Sequence, residues 1–304
     1  MDELNFWLPY LVCPIDHTPL NITAEKQWSC PTCGFETETS EVKGRQISDF
    51  RAVNRPQTVT VQFQIPTAPL DRYQLVKERF YGVSQDFEAI SDADFRKRFG
   101  TKLDRGMQFY SQKLWQTVGA DARILDLGCG NGGNRRYLRS LGFQHILTLD
   151  WNAVGADLLA DAHRLPLTDN VFDMVISTAV FEHLYNPFIA MSEISRVLKS
   201  GGHFLGGASF WEGWHGSSYF HLTPDGWNSL LTQTRFSLED VWAGWGIIPA
   251  ALTHVLTPGH LRSVGYGLQR VVDGVYRLAM GESGVRKLHL RASGAYLVYA
   301  TVHK

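Results

Sequence analysis

The sequence predicts an α/β protein built on a doubly wound, mostly parallel sheet, with a small cysteine-containing module ahead of it. From residue 120 onward, apolar runs such as RILDL, HILTLD and MVIST alternate with glycine turns and helical patterns. This alternation is typical of a parallel sheet covered by helices on both faces. The chain has 304 residues, 44% of them hydrophobic, which is enough for one large core and a smaller unit.

The charge and hydropathy of the chain argue against a polyanion or a membrane as its main partner. The formal net charge is −1, and residues 1–50 carry three basic and eight acidic side chains, so the front of the chain would repel phosphate. No stretch approaches the roughly 18 consecutive apolar residues of a membrane span, and the first residues are acidic where a signal peptide begins with basic ones. We therefore expect a cytoplasmic protein with no membrane partner.

The front of the chain divides into three segments. Residues 1–50 are predicted to form short strands and turns, because Pro and Gly closely follow the cysteines. Three of the four cysteines lie within the first 33 residues, which in a cytoplasmic chain favours a metal site over disulfides. Residues 51–70 contain three prolines and no helical period, which indicates a linker or an edge strand. Residues 71–119 have the spacing of two or three amphipathic helices, so the sheet domain is placed at 120–304.

A glycine-rich turn follows the first strand of the sheet domain. RILDLGCGNGGN reaches Asp126 and turns through Gly128, Gly130 and Gly132, whose lack of side chains lets the backbone approach a ligand at a helix N-terminus. The next apolar run ends in Asp150, a position suited to hydrogen bonds with two ribose hydroxyls. A dinucleotide-binding turn would satisfy both features, and a plain tight β–α connection would satisfy the first.

A third acidic position separates these alternatives. Asp161 ends a further apolar run and is followed by a Leu-Pro turn and the run VFDMVIST. With these features, residues 123–208 resemble the class I S-adenosylmethionine (SAM)-dependent methyltransferases, notably the methyltransferase type 11 group. ILDLGCGNGG is similar to the family's first motif and DAHRLPL to its adenine-contacting turn. FEHLYNPFIAMSEISRVLKSGGHF resembles its following helix and turn, with Ser200 where proline is usual.

The resemblance implies a Rossmann-like seven-stranded sheet and SAM as the cofactor. It assigns the glycine loop to the methionine part of SAM, Asp150 to the ribose and Asp161 to the adenine, with Thr178 or Ala179 on the sulfonium side. The implied cofactor-binding residues are Asp126, Gly128, Cys129, Gly130, Asn131, Gly132, Asp150, Trp151, Asp161, Ala162 and Thr178.

One segment departs from the family pattern. Only WNAVG separates Asp150 from the run ADLLAD, which is too short for the helix that usually connects the second and third strands. Either this crossover is a loop, or Asp150 lies elsewhere than the resemblance implies.

The acceptor end of the site is less defined by the sequence. Methyl transfer from a sulfonium requires alignment, exclusion of water and, for some acceptors, removal of a proton. The candidate bases are Glu182 and His183 after the fourth strand, and His215 and His221 within the aromatic segment 209–227. The resemblance puts this segment near the methyl group of SAM, where aromatic side chains suit a flat or apolar acceptor, although ordinary lid packing would also explain them.

Glu182 and His183 also resemble part of the carboxylate–histidine metal sites of some O-methyltransferases. Those sites carry another glutamate three positions before the first of the pair, where this chain has Ala179. Because a hard cation would lose an anionic ligand, we expect metal-independent chemistry, with Glu182 orienting the helix or a substrate group.

The front module resembles a zinc ribbon of the kind that precedes some bacterial rRNA guanine methyltransferases. CPIDH contributes Cys13 and CPTC contributes Cys30 and Cys33, and Asp16 stands where the second cysteine belongs. The resemblance implies a structural zinc with Asp16 or His17 as the fourth ligand. The alternative is a degenerate ribbon held together by its small core.

Taken together, these patterns predict a SAM-dependent methyltransferase that acts on an oxygen or nitrogen of a small-molecule biosynthetic intermediate. An RNA methyltransferase guided by the ribbon is the alternative, disfavoured by the acidic ribbon but supported by the basic stretches at 96–98 and 135–136. A non-catalytic SAM-binding scaffold is the third interpretation. The sequence does not indicate the oligomeric state.

Overall fold

A single nine-stranded sheet organises the computed structural model, which describes residues 3–22, 27–53, 105–253 and 262–304. The strands are β1 Asn21–Ile22, β2 Trp28–Ser29, β3 Glu38–Val42, β4 Arg45–Asp49, β5 Arg123–Leu127, β6 His145–Asp150, β7 Leu158–Leu159, β8 Phe172–Thr178, β9 Leu198–Ser209, β10 Phe236–Gly246 and β11 Ser293–Val302. Their order in the sheet is β10-β11-β9-β8-β5-β6-β7-β4-β3, and β1 pairs with β2 in a separate ribbon. The predicted α/β class with a parallel-rich sheet is confirmed.

Helices cover both faces of this sheet. They are α1 Arg105–Val118, α2 Gly133–Leu141, α3 Pro187–Val197, α4 Pro224–Gln233, α5 Ile247–Ala251 and α6 Arg262–Arg291. Neighbouring residues of β5 illustrate the two faces, because Ile124 packs with α1 and α2 while Leu125 packs with α3 and α4. A strand buried on both faces reads as a continuous apolar run, which explains RILDL and HILTLD in the sequence.

The helices that follow the central strands begin at clear sequence signals. At the start of α3, Pro187 occupies the first turn and the side chain of Asn186 accepts a hydrogen bond from the amide of Ile189. At the start of α4, Thr223 caps the amide of Gly226 in the same way. Such caps satisfy amides that have no partner within the helix, and proline tolerates the first turn because its missing N–H is not needed there.

The prediction of seven strands is wrong, because the front module adds a hairpin to the sheet. β3 and β4 are antiparallel to each other, and β4 pairs in parallel with β7 through Ser48 with Leu158 and Asp49 with Leu159. The amide of Phe50 extends the contact by donating to the carbonyl of Leu159 at 2.8 Å. The remaining seven strands, from β7 to β10, form the core that the sequence led us to expect.

The short crossover between β6 and β7 is a loop, which was the first of the two alternatives that the sequence left open. Residues 151–157 contain turns and bends but no helix, and β6 and β7 still pair in parallel. The loop packs against the glycine turn, since the amide of Gly155 donates to the carbonyl of Gly130 at 3.0 Å. A Cβ on Gly155 would lie 2.4 Å from the amide nitrogen of Gly132, so this close approach requires glycine.

Two predicted segments fall largely or wholly outside the described residues. The proposed linker is described only at 51–53, and of the amphipathic helices at 71–119 only α1 is described. In the part of the chain that is described, no helix has both the length and the apolar character needed to cross a bilayer. The longest, α6, is interrupted at Gly281, where φ is 66°.

Candidate functional site

The glycine turn after β5 presents bare backbone to a cavity. Gly128, Gly130 and Gly132 all have positive φ, at 77°, 55° and 74°, a conformation that residues with a Cβ rarely adopt. A Cβ built on Gly128 would lie 2.0 Å from a methyl group of Val180, whereas one on Gly130 would meet no atom within 4 Å. The backbone at Gly130 is therefore open to a ligand, and α2 begins directly after the turn.

Asp150, at the end of β6, is tied to the glycine turn. Its Oδ2 accepts a hydrogen bond from the amide of Gly130 at 3.0 Å, and its Oδ1 accepts one from the amide of Asn152 at 2.9 Å. Parallel strands end at the same edge of the sheet, so β5 and β6 bring these groups together. The carboxylate lines the cavity and retains lone pairs for a hydroxylated ligand.

Asp126 lies behind the turn and is completely buried. Its Oδ1 accepts a hydrogen bond from Nδ2 of Asn134 at 3.0 Å, and its Oδ2 accepts none from the residues that the structure describes. Burial raises the pKa of Asp126 to about 6, an effect that the hydrogen bond from Asn134 only partly offsets.

Asp161 also lines the cavity and is fixed by His163. Its Oδ1 accepts hydrogen bonds from the backbone amide and from Nδ1 of His163, at 2.9 and 2.6 Å. Burial alone would raise the pKa of Asp161, but the hydrogen bonds from His163 lower it below its usual value. The Nε2 of His163 accepts from the amide of Asn186 at 3.2 Å, and its ring stacks on Tyr185 at 3.8 Å between centroids.

These groups enclose a cavity of about 570 Å³, a volume typical of small-molecule sites. Of the predicted cofactor residues, those that line it are Gly128, Gly130, Asp150, Trp151, Asp161 and Ala162. Those that do not line it are Asp126, Cys129, Asn131, Gly132 and Thr178. These five residues lie in the glycine turn or in the strands next to it. Of the two residues that the resemblance offered for the sulfonium side, Ala179 lines the cavity and Thr178 does not.

The sequence analysis missed two aromatic side chains of the lining. His163 and Tyr185 stack on each other at the cavity wall. His163 lies two residues after Asp161, and Tyr185 follows the pair Glu182 and His183, so nearness to predicted site residues was the signal available. Their stacking, by contrast, depends on how two separate loops pack.

The turn Phe181–His183 and the aromatic segment 209–227, where the sequence analysis expects the acceptor, both reach the cavity. His183, Gly216 and Tyr219 line the cavity, and the amide of Tyr219 donates to the carbonyl of Glu182 at 2.6 Å. His215 lies beside His183, with ring centroids 5.4 Å apart. His221 stands further back, where its Nδ1 donates to the carbonyl of Phe210 at 3.1 Å. Trp211 and Trp214 are exposed.

The front module gathers four of its five predicted ligands. One ligand atom from each of Cys13, Asp16, Cys30 and Cys33 lies within 4.8 Å of all the others. Burial would raise the pKa of Asp16, but hydrogen bonds from the Thr18 amide and from the cysteine thiols lower it to about 2. His17 points elsewhere, with its Nε2 3.8 Å from Oε2 of Glu193. Three sulfurs and one carboxylate oxygen are a donor set that suits zinc.

Comparison with known proteins agrees with this geometry. Residues 125–206 match a family model described as a methyltransferase domain. A fatty-acid O-methyltransferase from Mycolicibacterium smegmatis is 34% identical over 116 residues, which are 32% of this chain and 42% of that protein. A sterol 24-C-methyltransferase from Gibberella zeae is 30% identical over 152 residues, 43% of this chain and 39% of that protein. The chain thus spans less than half the length of these curated relatives.

A solved structure aligns over a larger share of the chain. A phosphoethanolamine N-methyltransferase 2 from Haemonchus contortus, in complex with phosphomonomethylethanolamine and S-adenosylhomocysteine, covers 71% of this chain and 61% of its own. Its sequence identity is 16% and the TM-score is 0.44.

Proposed function

We propose that this protein is a SAM-dependent methyltransferase with a small-molecule acceptor. The observation that carries the proposal is the cavity enclosed by the bare glycine turn, Asp150 and Asp161. Its volume and its donor set fit an adenosyl group, because carboxylates at two strand ends can accept hydrogen bonds from ribose hydroxyls and an adenine amino group. The match of residues 125–206 to a methyltransferase domain supports the same function.

In this proposal the protein mainly binds the two reactants, aligns them and excludes water from the site. SAM, when bound, supplies an electrophilic methyl group on a sulfonium, which needs no further activation. Gly130 and Asp150 would hold one part of the cofactor, Asp161 and Ala162 the adenine end, and His183 with Tyr219 would face the acceptor. Alignment of acceptor and methyl group accounts for most of the catalysis expected of such a site.

A small molecule is favoured over RNA by the contacts of the basic residues. Arg135 forms ion pairs with Asp157 and Glu3, and Arg136 donates to the carbonyl of Asn131. The charge of Arg135 is compensated by these carboxylates, and Arg136 is exposed, so this stretch presents one accessible guanidinium rather than the extended basic patch that RNA binding requires. The basic stretch at 96–98 lies outside the described residues. The two curated relatives described above are named for fatty-acid and sterol methylation, which is consistent with a small acceptor.

Calorimetry with SAM tests the cofactor assignment. Asp150→Ala removes the carboxylate that both holds the glycine turn and faces the cavity, so we expect SAM affinity to fall by about 10- to 100-fold. Asp121→Ala is the control, because that side chain is exposed at the surface. Equal affinities for SAM in all three proteins, or preferential binding of NAD by the wild type, would contradict the proposal.

We also propose that the front module holds one structural zinc ion through Cys13, Asp16, Cys30 and Cys33. The clustering of these ligand atoms supports it, and Asp16 replaces the cysteine that a regular ribbon would carry. A thiolate-rich closed site stabilises the fold rather than taking part in chemistry.

A further inference from the structure

We infer that Glu182, His183 and His215 form a second metal site, which takes a divalent transition-metal ion at the acceptor end of the cavity. One ligand atom from each of these residues lies within 4.8 Å of the other two. Glu182 and His183 belong to the turn after β8, whereas His215 comes from the segment after β9. The packing of the two segments, rather than a sequence motif, brings the three side chains together.

The buried carboxylate of Glu182 has a hydrogen-bond partner for only one of its two oxygens among the described residues. The residue is 1% exposed; its Oε1 accepts a hydrogen bond from Oγ of Ser209 at 3.0 Å, and its Oε2 accepts none from any described residue. A buried carboxylate without a full set of partners is costly, since transfer from water removes its hydration. A bound cation would supply the missing partner.

A second carboxylate, that of the partly buried Glu212, adds negative charge at the same place. Oε2 of Glu212 lies 2.5 Å from Oγ of Ser209, the hydroxyl that also faces Glu182. One hydroxyl carries one proton, so it cannot donate to both carboxylates. Within the described ranges, no Lys or Arg lies within 4.0 Å of the carboxylate of Glu182 or of Glu212. The nearest cationic candidate is His215, whose Nε2 is 3.9 Å from Oε2 of Glu212.

The two histidines are oriented as ligands. Nδ1 of His215 donates to the carbonyl of Gly213 at 2.7 Å, so in the neutral ring the lone pair is on Nε2. Metal-binding histidines are commonly oriented by such a bond from the other ring nitrogen to a backbone carbonyl. Nδ1 of His183 is buried and has no hydrogen-bond partner among the residues that the structure describes.

The donor set defines the class of ion. Two imidazole nitrogens and one carboxylate oxygen suit Zn²⁺ and similar first-row ions, whereas Mg²⁺ and Ca²⁺ prefer oxygen ligands alone. Three protein ligands leave a position for an oxygen of another molecule. His215 supplies the third ligand that the missing glutamate at position 179 would have provided, and its neutral nitrogen donor favours a transition-metal ion over a hard cation.

The role of the ion rests on the proposed methyltransferase function, whereas the binding site itself does not. His183 lines the cavity, so an ion bound to it would lie beside the space assigned to the acceptor. An ion there would hold the acceptor through an oxygen and favour loss of that oxygen's proton to water. The inference thus restricts the proposed small-molecule acceptor to compounds that are methylated on a hydroxyl or carboxyl oxygen.

Metal counting on the full-length protein tests the site. The protein is stripped with a chelator, dialysed against Zn²⁺ and analysed by inductively coupled plasma mass spectrometry. We expect His183→Ala and His215→Ala each to hold one ion fewer per chain than the wild type. Trp214→Ala is the matched control, because this neighbouring side chain is 81% exposed and is not a ligand. Glu182→Gln, which keeps the shape of the buried side chain, should lose the same ion.

A double variant separates this ion from the one in the front module. Cys30→Ser with Cys33→Ser removes thiolates of the front cluster, and one Zn²⁺ that depends on His215 should remain. A Zn²⁺ content unchanged by His183→Ala and His215→Ala would overturn the inference. SAM calorimetry on the same proteins keeps the two proposals apart, since a wild type that binds the second ion but not SAM would refute only the proposed function.

Discussion

Single carboxylates around the cavity behave differently because of their immediate neighbours. Asp126 and Asp161 are both buried, but Asp161 accepts two hydrogen bonds from His163 while Asp126 accepts one from Asn134. Burial accordingly raises the pKa of Asp126 to about 6, whereas in Asp161 the hydrogen bonds outweigh burial and the pKa is lowered. The hydrogen-bond donors that reach each carboxylate therefore decide the direction in which its pKa is shifted.

The raised pKa of Asp126 gives a pH-dependent contribution to stability. Because the folded-state pKa lies above that of the unfolded chain, the folded protein binds more protons between about pH 4 and 6, and stability falls as pH rises through this window. We expect Asp126→Asn to remove this loss. Relative to the wild type, its free energy of unfolding should be similar at pH 4 and higher by about 3 kcal/mol at pH 8.

Denaturant unfolding across this pH range, without added ligand, measures the effect. Asp121→Asn serves as the exposed control and should follow the wild type. A difference between Asp126→Asn and the wild type that does not change with pH would show that the carboxyl is not perturbed by burial.

At the scale of elements, the strand that the front module adds to the sheet holds the loop beside the cavity. Arg51, just after β4, donates from Nη1 to the carbonyl of Trp151 at 2.9 Å, and its guanidinium lies 5.3 Å from the centre of the Trp151 ring. Arg45 in β4 donates to the carbonyl of Val154 at 2.7 Å. Since Gly155 of this loop bonds the glycine turn, the module supports the cavity through the loop.

Loss of this support should weaken the binding of SAM. We expect Arg51→Ala to lower SAM affinity several-fold, corresponding to about 1 kcal/mol, because one hydrogen bond and one cation–π contact to the loop are removed. Calorimetry provides the measurement. Lys43→Ala, in the turn between β3 and β4, is the control for a lost positive charge on the same hairpin. If Arg51→Ala and Lys43→Ala bind SAM equally well, the module does not act on the cavity through this loop.

For the whole molecule, the front module and the sheet share one core. Trp28, Cys30, Phe35 and Phe50 belong to the same hydrophobic cluster as the central strands. The backbone of the module is also paired to β7. Units that share a core and a sheet are expected to unfold together, because neither can separate without exposing apolar surface and unpairing strands.

Removal of the zinc ion proposed for the front module should therefore affect the entire protein. In the His215→Ala variant, which lacks the second proposed ion, we expect a chelator to lower the midpoint of a single thermal transition and added Zn²⁺ to restore it, because the ion binds only the folded state. Circular dichroism of the backbone and tryptophan fluorescence would follow the transition. Two separate transitions, with only the first sensitive to chelator, would mean that the module unfolds independently.

Local patterns in the sequence were sufficient for the central architecture. Local sequence is enough to predict the apolar runs of β5, β6 and β8 and the glycine turn, because each depends on residues close together in the chain. The same is true of the acidic residues at the strand ends, which are Asp126, Asp150 and Asp161. The pairing of β4 with β7 joins residues about 110 positions apart, and no local signal specifies it. The same holds for the meeting of Glu182 with His215, and for the choice of Asp16 rather than His17 in the cysteine cluster. Such contacts depend on how distant segments pack and on where each side chain then points, which is decided only when the whole chain has folded.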